Sequence, residues 1–180
     1  MAEPRSHHEL TFRPEYALFT IRDLDADARV GADRAIADAN LDVAAATEYE
    51  IYVKVAQLDL PVTAALEVWD TLPATPAAVP PWHFVNRFEL PFYSGVVILG
   101  DGGGQSIHGP WLPLGPGLYT SEVWSAGRSD AVRRAAEIDA ATEGVDVYEK
   151  IDYQDGNGSG IERYLIRLGW LAELPDDDDL

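Results

Sequence analysis

The stretch from Phe88 to Ser125 constrains this chain more than any other. It opens with Phe88-Glu89-Leu90-Pro91-Phe92 and continues through the apolar run Val96-Val97-Ile98-Leu99. The glycine loop 100–104 and Leu112-Pro113-Leu114-Gly115-Pro116-Gly117 follow. Glycine supplies the positive φ that tight turns need, and proline fixes φ and ends strand pairing. From Leu118 to Trp124 the side chains alternate. Leu118, Thr120, Glu122 and Trp124 fall on one side and Tyr119, Ser121 and Val123 on the other, the period of a strand. Neither set is wholly apolar, so the pattern fixes a strand and leaves its buried face open. We read the stretch as strands joined by turns.

The same periodicity recurs on both sides. Phe12 to Asp23 reads as a first strand with Ala17, Phe19 and Ile21 on a clean apolar face. Tyr49, Ile51, Val53 and Val55 alternate with Glu48, Glu50, Tyr52 and Lys54, which predicts a half-buried strand with its charge outside. After the turn Asp59-Leu60-Pro61, Ala64 to Trp69 reads as the second strand of an antiparallel hairpin. The proline-dense 72–81 predicts a surface crossing, after which Trp82, Phe84, Val85 and Phe88 return to the core. Tyr164, Ile166, Leu168 and Trp170 share one face of a strong late strand, and Val145 to Asp152 reads as a further strand. Two helices interrupt this pattern. One is short and alanine-rich over Asp33–Ala39, and Ala is the best helix former. The other runs from Ser129, as N-cap, to about residue 143, with Gly144 as its stop. The expected fold is all-β and mainly antiparallel, a two-sheet β-sandwich with one short early helix and one inserted helix near 129–143. Its expected layout is a flexible arm over 1–11, one domain over 12–174 and a disordered acidic tail over 175–180.

Net charge is −18 with no cysteine. That charge argues against nucleic acid or an anionic membrane as partner, since each repels it, and favours a basic protein. The absence of cysteine removes disulfides and thiolate metal sites. No apolar run suggests a signal peptide or a membrane span, which points to the cytoplasm. The acids are unevenly placed, with 11 acidic against 3 basic residues in Asp23–Asp70 and the same ratio in Glu143–Leu180. In the first block Asp23, Asp25, Asp27, Asp33 and Asp38 are the candidate binding residues.

Chemical motifs are sparse. The 100–104 loop has glycine but lacks the Lys-Ser/Thr of a phosphate loop. Asp155-Gly156-Asn157-Gly158-Ser159-Gly160 begins like a calcium loop, but its twelfth position is Ile166 where a bidentate Glu is needed, so we read a hairpin loop. His7 and His8 read as an unstructured terminal pair, and His83 as a core histidine between aromatics. His108, in the glycine-rich loop, is the better acid–base candidate and anchors an alternative reading, an enzyme or small-ligand binder using His108 and loop carboxylates. We assign no catalytic residue, no metal and no cofactor.

The order of these pieces resembles the ComJ-like proteins, the competence-associated nuclease inhibitors. The matching text is Tyr16 to Asp23, Asp33-Arg34-Ala35-Ile36, Leu90-Pro91-Phe92, Leu114-Gly115-Pro116-Gly117-Leu118-Tyr119 and Tyr164-Leu165-Ile166. The chain departs from the family at Val30 or Gly31, where the helix usually begins with Trp, and in 129–160, which reads as an insertion. The resemblance implies a non-enzymatic β-sandwich that inhibits a nuclease or acts as an immunity protein. It transfers no catalytic residue.

Overall fold

The computed structural model describes residues 3–74, 81–103 and 106–174, with backbone alone for 106–108. Two five-stranded sheets and three helices make up the fold. In chain order the elements are β1 (Ser6–Phe12), β2 (Leu18–Asp23), α1 (Ala32–Asp42), β3 (Ala44–Ala46), β4 (Glu50–Lys54), β5 (Val62–Trp69) and β6 (His83–Phe92). They continue with β7 (Val96–Gly100), β8 (Ser106–Trp111), β9 (Gly117–Ala126), α2 (Arg128–Ala141), α3 (Val147–Gly158) and β10 (Arg163–Ala172). The first sheet has the order β1-β5-β10-β9-β6, and the second β3-β4-β2-β7-β8. Pairing is antiparallel except between β10 and β5. Pro91 and Pro110 fall on the edge strands β6 and β8, where a missing N–H costs no ladder bond.

One face of each sheet feeds a common core. The second sheet contributes Phe19, Ile21, Ile51 and Val53, and the first contributes Val68, Tyr119, Val123, Tyr164 and Ile166. Phe19 meets Tyr164 edge-on with ring centroids 5.1 Å apart, joining the two sets. Tyr119 lies in this core with its phenol pushed up to about 12 by burial, and its hydroxyl donates to the Gly115 carbonyl at 2.7 Å. The inward sets on β2, β4 and β10 are the ones the alternation singled out.

Several expectations need correction. β1, which takes in residues 6–11 of the stretch read as a flexible arm together with Phe12, pairs along its whole length with β5. Its polar text hides an edge strand that needs only Leu10 and Phe12 to pack inward. The predicted strand Phe12–Asp23 is broken at Pro14 by a 3-10 turn over Glu15–Ala17. β4 and β5 do not form a hairpin, because they belong to different sheets. Gln57 shapes the crossing between them, its Oε1 accepting from Asp59 N at 2.7 Å and Leu60 N at 2.6 Å. Alternation within a strand carries no information about which sheet it joins. Phe84, expected in the core, is exposed and stacks edge-on against Trp124 at 5.1 Å. The inserted helix is preceded by Gly127 in the left-handed region, so Ser129 lies inside its first turn rather than capping it. A Cβ at Gly127 overlaps the Ile161 carbonyl, which leaves no room for another residue.

A third helix stands where a strand (Val145–Asp152) and a loop (155–160) were expected. The text of α3 is poor in strong helix formers and ends in Gly156-Asn157-Gly158. Asp146 caps it, accepting from Tyr148 N at 2.9 Å, and Glu149 stands three residues on. That spacing is the capping-box signature, the one local signal for this helix. Of the proline-dense crossing and the acidic tail, 75–80 and 175–180 lie outside the described residues.

Charge closes the outer face of the first sheet. Arg167 on β10 is fully buried between the rings of Trp69 and Trp124, 5.9 and 5.8 Å from their centroids. Its Nη1 lies 3.6 Å from Glu122 Oε2, and its Nη2 donates to the Pro73 carbonyl. Each indole N–H is taken by a carboxylate, Trp69 by Glu67 at 3.0 Å and Trp124 by Glu122 at 3.1 Å. Arg87 completes the set from β6 through Glu122 Oε1. Burial lowers the Arg167 pKa, and Glu122 and Glu67 oppose that.

Candidate functional site

The five aspartates singled out in the sequence do not share one role. Asp23 ends β2 and is fully buried. Its carboxylate accepts from Asp25 N at 2.9 Å, Ser94 N at 3.0 Å and Ser94 Oγ at 2.9 Å. It therefore ties the start of the β2–α1 loop to the β6–β7 turn and is closed to a partner. A strand-ending Asp sits where turn N–H groups need an acceptor, which is the physical reason for its burial. Replacing Asp23 with Ala is expected to lower the unfolding free energy by about 1–3 kcal/mol, read from a urea midpoint, because two N–H groups lose a charged acceptor.

The other four reach solvent. Asp25 and Asp27 are exposed in the loop, and Asp33 and Asp38 are exposed on α1. Asp33 lies in the first turn of α1, where a carboxylate complements the helix dipole. Asp38 pairs with Arg34 at 3.8 Å, both ends open to water. Asp42 and Glu48 are also exposed. The helix can sit close because its inner residues are small. Ala35 and Ala39 are buried against Leu18 and Tyr52 on the outer face of the second sheet. This lid explains why Glu50, expected outside on β4, is buried.

Clefts flank α1 on both sides. One, of about 700 Å³, is lined by Arg34, Asp38, Thr47, Glu48, Tyr49 and Glu89. The other, of about 430 Å³, is lined in part by Arg22, Arg29, Asp33, Glu50 and Tyr52. On the wall of the second cleft Glu50 accepts from Arg29 N at 3.1 Å and Tyr52 Oη at 2.6 Å, with Arg22 Nε 3.9 Å away. Burial, and then the Glu50 carboxylate, push the Tyr52 phenol above its ordinary value, so it remains a donor. Arg29 holds a left-handed backbone (φ 71°) that aims its N–H at Glu50. Alternation exposed neither Glu50 nor Arg29 as partners, because α1 brings them together across sequence.

His83 opens β6 at the surface rather than in the core, and among the described residues it bonds no carboxylate. The backbone of His108 pairs with Ile98 on the β7–β8 ladder, and its side chain lies outside the described residues. Among the described residues no three metal-ligating side chains come together. No described helix is long and apolar enough to cross a membrane.

No family model matches the chain. No curated protein sequence matches it either. The crystal structure of ComJ, inhibitor of the DNA degrading activity of NucA, from Bacillus subtilis, superposes on it with a TM-score of 0.54. The match covers 95% of this chain and 99% of that one, at 13% sequence identity. The chain shares the fold of ComJ. A second solved structure, described as Crocagin biosynthetic gene J, aligns over 94% of this chain and 98% of that one, with a TM-score of 0.49 and 14% identity. The ComJ-like resemblance read from short motifs is thus a likeness of architecture over nearly the whole length. At this identity it speaks for the fold, and the site residues stand on their own geometry.

Proposed function

We propose that the chain is a non-catalytic β-sandwich binding protein that neutralises a basic protein partner of nuclease or toxin type, as an inhibitor or immunity protein. Its contact surface is the carboxylate ridge of Asp25, Asp27, Asp33 and Asp38, extended by Asp42 and Glu48. The observation that carries this reading is the near-complete match to the fold of a nuclease inhibitor. The exposed ridge supports it on independent grounds. Among the described residues, Asp38–Arg34 is the only ion pair made by these six acids, and it joins two side chains that are both open to water. A nuclease groove shaped for polyanionic nucleic acid is basic, and an acidic surface is drawn to it at long range.

The test is a DNA-degradation assay with the nuclease recovered on this chain as bait, repeated across salt. Inhibition is expected at low ionic strength, with an association rate that falls as salt rises. Changing Asp25, Asp27, Asp33 and Asp38 together to Asn is expected to slow association about 10-fold or more. Inhibition indifferent to both salt and neutralisation removes the ridge from the reading, and absence of any nuclease or toxin partner removes the reading itself.

A further inference from the structure

Helix α3 spends almost none of its surface on holding itself in place. Of its twelve residues only Gln154 and Gly158 are buried, Gly158 lying against Leu60. Polar ties do the rest. Lys150 Nζ meets Asp139 Oδ1 at 2.7 Å, Arg134 Nε donates to the Asn157 carbonyl at 3.2 Å, and Arg13 Nη2 donates to Asp155 Oδ1 at 2.7 Å. The large apolar side chains of α3 face water instead. Tyr148 is 77% exposed, Val147 58%, Tyr153 43% and Ile151 38%. Tyr148, Ile151 and Asp152 stand at i, i+3 and i+4, so they share one face, and Glu149 borders it.

We propose that this face of α3 is the anchor by which the chain holds its basic partner, with Tyr148 and Ile151 seated on apolar spots and Glu149 and Asp152 on cations. The inference rests on the binding function proposed above and assigns it a second surface. Charge selects the occupant. Glu143, Asp146, Glu149 and Asp152 are exposed, and among the described residues none is ion-paired. The one cation of the helix, Lys150, is already held by Asp139. A second copy of this chain brings the same carboxylates to the same place, and nucleic acid or an anionic bilayer brings phosphates, so each is repelled. A cationic protein surface is attracted. Tyrosine is also among the residues that most often dominate binding energy, being large, rigid and amphipathic.

Two surfaces of different chemistry separate in kinetics. Long-range charge on the α1 ridge governs the rate of encounter, whereas a seated aromatic governs the rate of escape. The experiment compares the wild type, Tyr148→Ala with Ile151→Ala, and the Asn ridge variant against the purified nuclease or toxin recovered with the wild-type bait. Surface plasmon resonance supplies both rates. The α3 variant is expected to dissociate about 10- to 100-fold faster with its association rate within about 3-fold of wild type. Amide exchange over 147–155 is expected to slow in the complex. An unchanged off-rate together with unchanged α3 exchange overturns the α3 anchor while leaving the binding function intact. Failure of the wild type to bind any such protein overturns both. A concentration-dependent dimer that the α3 variant dissolves overturns the anchor in favour of self-association.

Discussion

Replacing Arg167 with Ala is expected to lower the unfolding free energy by about 3–5 kcal/mol, measured as the shift of a urea unfolding midpoint. The guanidinium is fully buried, and its loss takes the stacking partner from Trp69 and Trp124 at once. Glu122, only 3% exposed, is then left with Arg87 and the Trp124 indole as its neutralising contacts. Breaking one side of a buried pair costs more than the pair is worth, because the survivor stays desolvated. The double change Arg167→Met with Glu122→Gln is therefore expected to be less damaging than the sum of its parts, since volume is kept and both charges leave together. Tryptophan emission reports the same event, as both indoles lose a cation from their faces. A loss below about 1 kcal/mol in the single variant contradicts this account and means that the guanidinium is poorly satisfied in the native state. Its Nε and Nη1 lack a hydrogen bond, so this outcome has a structural basis to be weighed against the stacking.

Glu162→Ala is expected to cost a comparable amount, about 3–5 kcal/mol, for a different reason. Glu162 has no exposed surface and sits where three elements meet. Its Oε1 accepts from Ala56 N at 2.7 Å and Tyr164 Oη at 2.5 Å and faces Arg128 Nη1 at 3.4 Å. Its Oε2 takes Gln57 Nε2 at 3.3 Å. One carboxylate thus joins the β4–β5 crossing, the first turn of α2 and the start of β10. Burial first, and the Glu162 charge next, hold the Tyr164 phenol well above its ordinary value, so it serves as a donor at any pH the fold meets. Glu162→Gln keeps an acceptor and the shape and is expected to lose about 1–3 kcal/mol. Equal losses for the two variants assign the effect to the charge, and a clear gap assigns it to the missing hydrogen-bond acceptor.

Residues such as these also mark where reading the sequence stops. Period-two alternation identified the inward faces of β2, β4 and β10, because burial on one side is a local property of each strand, whereas on β9 it fixed the strand and left its buried face open. It could not pair strands, so β4 and β5 looked like a hairpin although Pro61 and the Gln57 turn carry the chain between sheets. It also assumed that a charged outer face stays wet. On β4 that fails under α1, and on β9 and β10 it fails where Trp69, Trp124 and the Leu72–Pro73 segment cover Glu122 and Arg167. The polar β1 escaped notice because its partner β5 lies far along the chain, and α3 because its text is poor in strong helix formers. Of the five aspartates, composition gave no means of separating Asp23 from the four that reach water, since that distinction depends on Ser94, 71 residues away.

The position of β10 has a bearing on how the molecule comes into being. Among the described strands it comes last in the chain, yet it lies between β5 and β9 and is the one strand that joins the two halves of the first sheet. Until it is laid down, β1 with β5 and β9 with β6 are two separate ribbons, each with a bare rim of backbone donors and acceptors. During vectorial synthesis that state lasts until the segment Arg163–Ala172 has emerged, and its bare rims are open to wrong pairing throughout. Closing the sheet is then a late, long-range event, and a ribosome that stalls before it releases a half-zipped chain suited to aggregation rather than a smaller working protein.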